Sequence, residues 1–220
     1  MYSTVICGAG AGKRTNLSFN KIFYLINGKQ LILYTIQPFL EDADCKEIFL
    51  VVSESDLIQT KNLVHDEKVK IVIGGASRQE SVFAGLKKVT TEIVFIHDGA
   101  RPNIHHLYIE KCKESIPKLK AITLAIPVKD TLKAVKFDIM GSTIDRESTV
   151  KLQTPQVFYT SEILLAHEFA LKEKHTYTDD ATLYATELGK DVTVITGDEY
   201  NIKATTMVDL LILEEILCTK

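Results

Sequence analysis

Thr4-Val5-Ile6-Cys7-Gly8-Ala9-Gly10-Ala11-Gly12-Lys13-Arg14 decides how the chain is read. A short apolar run passes directly into a stretch of glycine and alanine and ends in two cations. The run reads as a buried strand, and the small residues after it form a loop whose backbone N–H groups can approach an anionic oxygen. The spacing excludes two familiar phosphate loops. A dinucleotide fingerprint needs its third glycine one residue later. The loop of kinases and ATPases needs five steps between glycines and a Ser or Thr after the lysine, where Arg14 stands. Taken alone, the loop is equally well explained as a tight glycine turn with a solvated Lys-Arg pair.

Outward from this loop, short apolar runs alternate with helical patterns. Strands are expected at 4–7, 47–53, 69–73, 92–97 and 121–126, and helices at 29–40, 56–66, 78–89 and 107–115. Runs apolar along their whole length suit a sheet covered on both faces, and the alternation predicts βαβ units with a mostly parallel sheet. The expected class is α/β, Rossmann-like. Ser77-Arg78-Gln79-Glu80 is a capping box that starts a helix just after Gly74-Gly75. Thr206 with Asp209 starts the last helix. Between 127 and 159 the alternation breaks. A strand over 131–135, a turn at 140–142 and a strand at 142–144 describe a hairpin standing off the sheet. A two-stranded ribbon is marginal alone, so it needs something to pack on, such as another subunit. The whole chain, 1–220, reads as one domain with an arm at about 128–157.

The loop has company at other predicted strand ends. Lys21 lies seven residues after Arg14 among Phe19, Ile22 and Phe23. His97-Asp98-Gly99-Ala100-Arg101-Pro102 ends the fourth strand. In open α/β sheets ligands bind at the carboxyl ends of strands, which sets Asp98 and Arg101 at the same crevice as the loop. An acid beside a phosphate loop can hold Mg²⁺ or a sugar hydroxyl; as a residue before glycine it can also simply form a turn. Gly75 precedes a capped helix and offers an N-terminus to an anion, and Lys203 precedes the last helix. No Ser-His-Asp or Cys-His arrangement stands out.

The 220 residues carry 26 basic and 29 acidic side chains, a net charge of −3, with 45% hydrophobic residues. That composition gives a real core and no electrostatic footprint for nucleic acid. No apolar run approaches the ~20 residues that span a bilayer, and no basic-then-apolar opening marks a secretory signal. Cys7, Cys45, Cys112 and Cys218 are far apart and make no zinc spacing, so a cytoplasmic chain with reduced, buried thiols is expected.

The combined motifs carry a resemblance. Gly8 to Arg14 with Lys21, Gly74-Gly75-Ala76-Ser77-Arg78 with Ser81-Val82, and His97 to Pro102 are similar to the cytidylyltransferases of sugar and polyol phosphates. So are Pro127 to Lys133, Gln153-Thr154-Pro155-Gln156, Thr178-Asp179-Asp180-Ala181 and Asn201-Ile202-Lys203. In order and extent, from about Val5 to Asp209, the chain most resembles the 2-C-methyl-D-erythritol 4-phosphate cytidylyltransferases of non-mevalonate isoprenoid synthesis. Departures are Asn20-Lys21-Ile22 for a usual Pro-Lys-Gln, Thr15 for Met, Ala76 for an acid, and Val150-Lys151 where an aromatic is usual.

The resemblance implies CTP and a phosphomonoester as substrates, Mg²⁺ or another divalent cation as cofactor, and a homodimer whose arms complete each other's sites. It implies catalytic roles for Arg14, Lys21, Arg146 and Lys203. It assigns the nucleotide pocket to Gly8, Ala9, Gly10, Ala11, Gly12, Gly75, Ser81 and Asp98, and the substrate shell to Asp98, Arg101, Thr131, Thr154 and Thr178. Asp98 is the group assigned nearest the metal. Competing readings are a ribitol 5-phosphate cytidylyltransferase, a nucleotide-binding regulator without catalysis, and, on the failed glycine spacing the weakest, a dinucleotide oxidoreductase.

Overall fold

The computed structural model describes residues 1–10 and 17–218. Seven strands form the central sheet: β1 (Tyr2–Cys7), β4 (Cys45–Val52), β5 (Val69–Ile73), β6 (Ile93–Asp98), β7 (Ala121–Pro127), β10 (Val150–Tyr159) and β11 (Thr193–Thr196). Their order is β11-β7-β10-β6-β1-β4-β5. Within it β10 alone is antiparallel to its neighbours, so the expected mostly parallel α/β sheet is the one found.

Helices cover both faces, which is why β1, β4 and β6 are buried along almost their whole length. On one face lie α1 (Leu31–Glu41), α2 (Leu57–Leu63) and α4 (His106–Leu119), burying Ile32, Ile36, Phe39, Ile109 and Ile116 against Ile6, Leu50 and Phe95. On the other lie α3 (Arg78–Leu86), α5 (Thr160–Glu173) and α6 (Asp180–Leu188), with Val82, Leu86, Ile163 and Tyr184 against Val5, Val51 and Ile96. Each such fully buried side chain contributes about 1.5–3 kcal/mol. The chain winds outward from β1 to β5 over the first face and returns to β6 by α3 over the second. The connections therefore part at the carboxyl ends of β1 and β6, where a crevice must open.

Three expectations need correction. The helix expected at 29–40 begins only at Leu31. Lys29–Gln30 is β3, paired with β2 (Leu25–Ile26) across Asn27-Gly28, both at positive φ, which favours Asn and Gly. The arm is a hairpin of β8 (Leu132–Lys136) and β9 (Ile139–Ile144), but its turn is Phe137-Asp138, at φ 51° and 61°, and not 140–142. Gly141 serves a close approach instead: a Cβ there would stand 3.1 Å from the Ala134 carbonyl oxygen. Finally, β10 runs through Pro155, which the sequence pattern had presented only as part of a break.

Both capped helix starts are present. The Ser77 hydroxyl accepts from the Glu80 N–H at 3.1 Å, while the Glu80 carboxylate reaches back to the Ala76 N–H at 2.9 Å, one residue beyond the usual box. Helix α7 (Met207–Cys218) opens with Asp209 accepting from the N–H groups of Thr205 and Thr206, and it packs Leu210, Leu213 and Leu217 with Ile26, Leu31 and Ala204. Among the described residues no helix is long and apolar enough to cross a membrane.

Candidate active site

At the carboxyl ends of β1, β5 and β6 lies a crevice of about 380 Å³. Its floor is Cys7 to Gly10, anchored by the Gly8 N–H donating to the Val51 carbonyl at 2.7 Å. One wall is the turn Lys21–Phe23. Asn20 holds that turn: its side-chain N–H groups donate to the Gly8 carbonyl at 2.7 Å and to Asp56 at 2.8 Å, and its oxygen accepts from the Ile22 N–H. Lys21 is thereby set at the crevice edge. The opposite wall is Gly75 to Arg78 and Ser81 at the start of α3. A Cβ on Gly75 would stand 2.4 Å from that of Glu80, and one on Gly99 would meet the Cys7 carbonyl oxygen at 2.9 Å. Glycine is required at both places for the backbone to close round the crevice.

Asp98, the last residue of β6, is buried at the centre. Lys203 approaches it at 2.8 Å, and Arg78 and Arg101 each at 3.4 Å. Burial raises its pKa, but Arg78, Lys203 and Arg101 together outweigh that and hold the carboxyl well below the usual carboxylate range. Arg101 is fixed further by donating to the carbonyls of Asn201 at 2.6 Å and Leu152 at 3.4 Å. The Thr154 hydroxyl accepts from the Asp98 N–H at 3.0 Å and also meets His97 Nδ1 at 3.0 Å. Burial pushes His97 down to about 4, against the opposing effect of the Arg101 carbonyl beside its other nitrogen, so the imidazole is neutral. Burial likewise pushes the Cys7 thiol up to about 12, which excludes a thiolate nucleophile at neutral pH. A second, more open hollow of about 520 Å³ adjoins, lined by Arg101, Lys151, Gln153 and Thr205 among others; Lys203 lines both cavities.

A crevice of cations round a glycine loop suits anionic phosphates, and the whole-chain comparisons agree. The family model described as IspD, 2-C-methyl-D-erythritol 4-phosphate cytidylyltransferase, matches residues 2–219. The chain belongs to this family. Curated relatives of that name include one from Shouchella clausii, 42% identical over 98% of this chain and 96% of its own, and one from Halalkalibacterium halodurans, 41% identical over 100% and 98%. Among solved structures, 4-diphosphocytidyl-2C-methyl-D-erythritol synthase from Anaerococcus prevotii aligns with a TM-score of 0.87 at 28% identity, covering 99% of this chain and 98% of that one. Membership makes the chain a cytidylyltransferase, an enzyme that transfers a nucleotidyl group.

For a methylerythritol phosphate cytidylyltransferase, the expected site residues divide into four sets. Gly8, Ala9, Gly10, Lys21, Gly75, Ser81, Asp98 and Lys203 line one crevice, and Arg101 lines the adjoining hollow. Ala11, Gly12 and Arg14 lie outside the described residues. Arg146 and Thr131, on the exposed arm, line neither cavity of their own chain. The Arg146 side chain is 54% exposed, donates to the Lys129 carbonyl and pairs with Glu147. Thr178 is exposed too and donates to Asp179. Thr154 is buried and holds Asp98 and His97 in place. The sequence reading missed Arg78 as a site residue and Asn20 as the anchor of Lys21. Arg78 stands in the capping box and in the Gly74–Arg78 motif without a role of its own; its contact with Asp98 depends on the chain crossing from β5 to β6.

Proposed function

We propose that this crevice transfers the cytidylyl group of CTP to 2-C-methyl-D-erythritol 4-phosphate, with release of pyrophosphate, in non-mevalonate isoprenoid synthesis. The observation that carries it is Lys203, which borders both the nucleotide crevice and the adjoining hollow and so stands where two anionic substrates meet. CTP occupies the crevice, its base and ribose toward Gly75 and Ser81 and its triphosphate along the glycine loop. The phosphomonoester occupies the hollow beside Arg101. An oxygen of that ester attacks the α-phosphorus; the new O–P bond forms as the bond to the β-phosphate oxygen breaks, and pyrophosphate leaves with the electron pair.

A phosphomonoester loses its second proton near pH 6, so the nucleophile is anionic at neutral pH and needs no base. The task left to the protein is electrostatic: charge gathers on the transferring and leaving oxygens, and preorganised cations stabilise it. Lys21, Lys203 and Arg101 supply these cations, with Arg14 assigned by the family pattern. Asp98, held ionised, fixes three of the surrounding cations in one array.

A divalent ion fits this site in one way. Among the described residues no group of three or more His, Cys, Asp or Glu gathers, so Mg²⁺ would be held chiefly by the triphosphate with Asp98 as its one protein carboxylate. When bound, it neutralises phosphate charge.

The arm belongs to the same reading. Val135, Phe137, Ile139 and Met140 are all more than 60% exposed, a concentration of apolar surface that seeks a partner. A second copy of the chain would cover it and bring Arg146 and Thr131 to the neighbouring crevice, making one enzyme of two nucleotidyltransferase domains. The test is pyrophosphate release with Mg²⁺ and CTP, offering methylerythritol 4-phosphate and ribitol 5-phosphate in parallel. A preference of at least a hundredfold in kcat/KM for the first is expected. Preference for ribitol phosphate would keep the mechanism and overturn the pathway, and silence with both would overturn the activity.

A further inference from the structure

Behind the crevice, four elements close on one carboxylate that the transfer chemistry does not itself require. Asp180, the first residue of α6, is 1% exposed. Its Oδ2 accepts from Arg78 Nη1 at 2.8 Å, and its Oδ1 lies 3.2 Å from Nε2 of His167 on α5, also 1% exposed. The His167 ring stacks on Phe83 of α3, with centroids 5.6 Å apart and planes within 2°. From β10, the Gln156 side-chain oxygen accepts from the N–H groups of both Asp180 and Ala181 at 3.0 Å, pinning the start of α6. Burial raises the Asp180 pKa, but Arg78 and His167 outweigh it and keep the carboxylate ionised.

A buried carboxylate is costly to desolvate, and an apolar residue would fill the same space without that cost. What Asp180 supplies is orientation. Asp98 meets only Arg78 Nε, at 3.4 Å, and is shared with Lys203 and Arg101. One long contact leaves the guanidinium free to rotate; a second, short contact on Nη1 fixes its plane. Nη2 is then the nitrogen that the two anchors leave for a ligand. Guanidinium recognition of phosphate depends on that plane, since its donors form a rigid fork.

We propose that Asp180 is a positioning residue for the transfer reaction: buried behind the crevice and clamped by His167 and Gln156, it holds the Arg78 guanidinium in the orientation that meets a phosphate oxygen of the nucleotide. The proposal rests on the crevice being the CTP site. Binding of Mg²⁺-CTP to the full-length chain is measured by calorimetry for the native protein, Asp180→Asn, Arg78→Ala and the double variant, with kcat and KM alongside. Asn keeps the shape of Asp and a partner for His167. Asp180→Asn is expected to weaken CTP about tenfold and to raise the KM for CTP more than it lowers kcat. Arg78→Ala should weaken CTP at least as much, and Asp180→Asn should add nothing in the Arg78→Ala background.

Native affinity in Asp180→Asn would overturn the proposal. So would an equal further loss in the Arg78→Ala background, because a purely structural Asp180 acts whether or not Arg78 is present. Should Asp180→Asn not fold, Arg78→Lys decides: a single ammonium has no plane to hold, so a tenfold loss is expected and native CTP affinity would overturn the idea. Failure of the native protein to bind CTP would instead overturn the reading of the crevice.

Discussion

Lys21 owes its position to the residue before it. Where the family pattern has proline, the Asn20 side chain fixes the turn by bonding to Gly8, Asp56 and Ile22. Lys21→Ala is therefore expected to lower kcat/KM by about 10²–10³, the usual loss for one preorganised charge, while Tm moves by no more than about 2 °C. Pyrophosphate release and a thermal melt check both; near-native kcat/KM would place the catalytic charge elsewhere. His97 gives a pH prediction. Folding takes its pKa from 6.5 to about 4, so between those values the unfolded chain binds the proton that the folded chain refuses. Stability falls as pH drops through that window, by up to about 3 kcal/mol for this residue. Asp98 and Asp180, both lowered by their cations, add losses of the same sign at still lower pH. Denaturant melts of the native protein and His97→Gln from pH 7 to 4 should show a slope shallower by about one proton in the variant. The charges at the crevice were legible because Lys21, Asp98, Arg101 and Lys203 all follow recognisable strand ends or loops. The Arg78–Asp180 pair was not, because its partners are 102 residues apart and only the winding of the sheet brings them together.

At the scale of elements, legibility followed how local the cause is. The starts of α3 and α7 were readable because each cap closes within a few residues. Five of the seven sheet strands announced themselves as apolar runs. β10 did not, because proline removes a ladder donor and ordinarily argues against a central strand. The chain accommodates Pro155 where the pairing of β10 with β7 breaks register, between Leu152 and Gln156. That irregularity also sets Thr154 against Asp98 and Gln153 against the 197–201 loop: Gln153 Nε2 donates to the Asp198 carbonyl at 2.7 Å. The misplaced arm turn has a similar origin. Gly141 looks like the turn-former, yet it is kept small by Ala134 across the hairpin, and Phe137-Asp138 take the positive φ instead. Sequence spacing locates a turn well only when glycine has no second employment.

At the scale of the whole molecule, the arm is the element that the single chain leaves unexplained. Its apolar tip is exposed, and Arg146, assigned to catalysis by the family pattern, lines neither cavity of its own chain, whereas Lys203 lines both. If arms are exchanged in a two-fold dimer, each site takes Lys203 from one chain and Arg146 from the other. Arg146→Ala and Lys203→Ala proteins are each expected to be nearly inactive. A mixed dimer of the two then holds one site with both defects and one site with neither. Random assortment makes half the dimers mixed, each with one of two sites intact, so co-expression should restore about one quarter of native activity. Sites built wholly within one chain predict none, since every site would keep one defect. Differently tagged copies, purified through both tags to select the mixed dimer, sharpen the contrast to about half of native activity against zero. Activity that stays at the level of the separate variants would place Arg146 and Lys203 in one chain's site and overturn the exchange of arms.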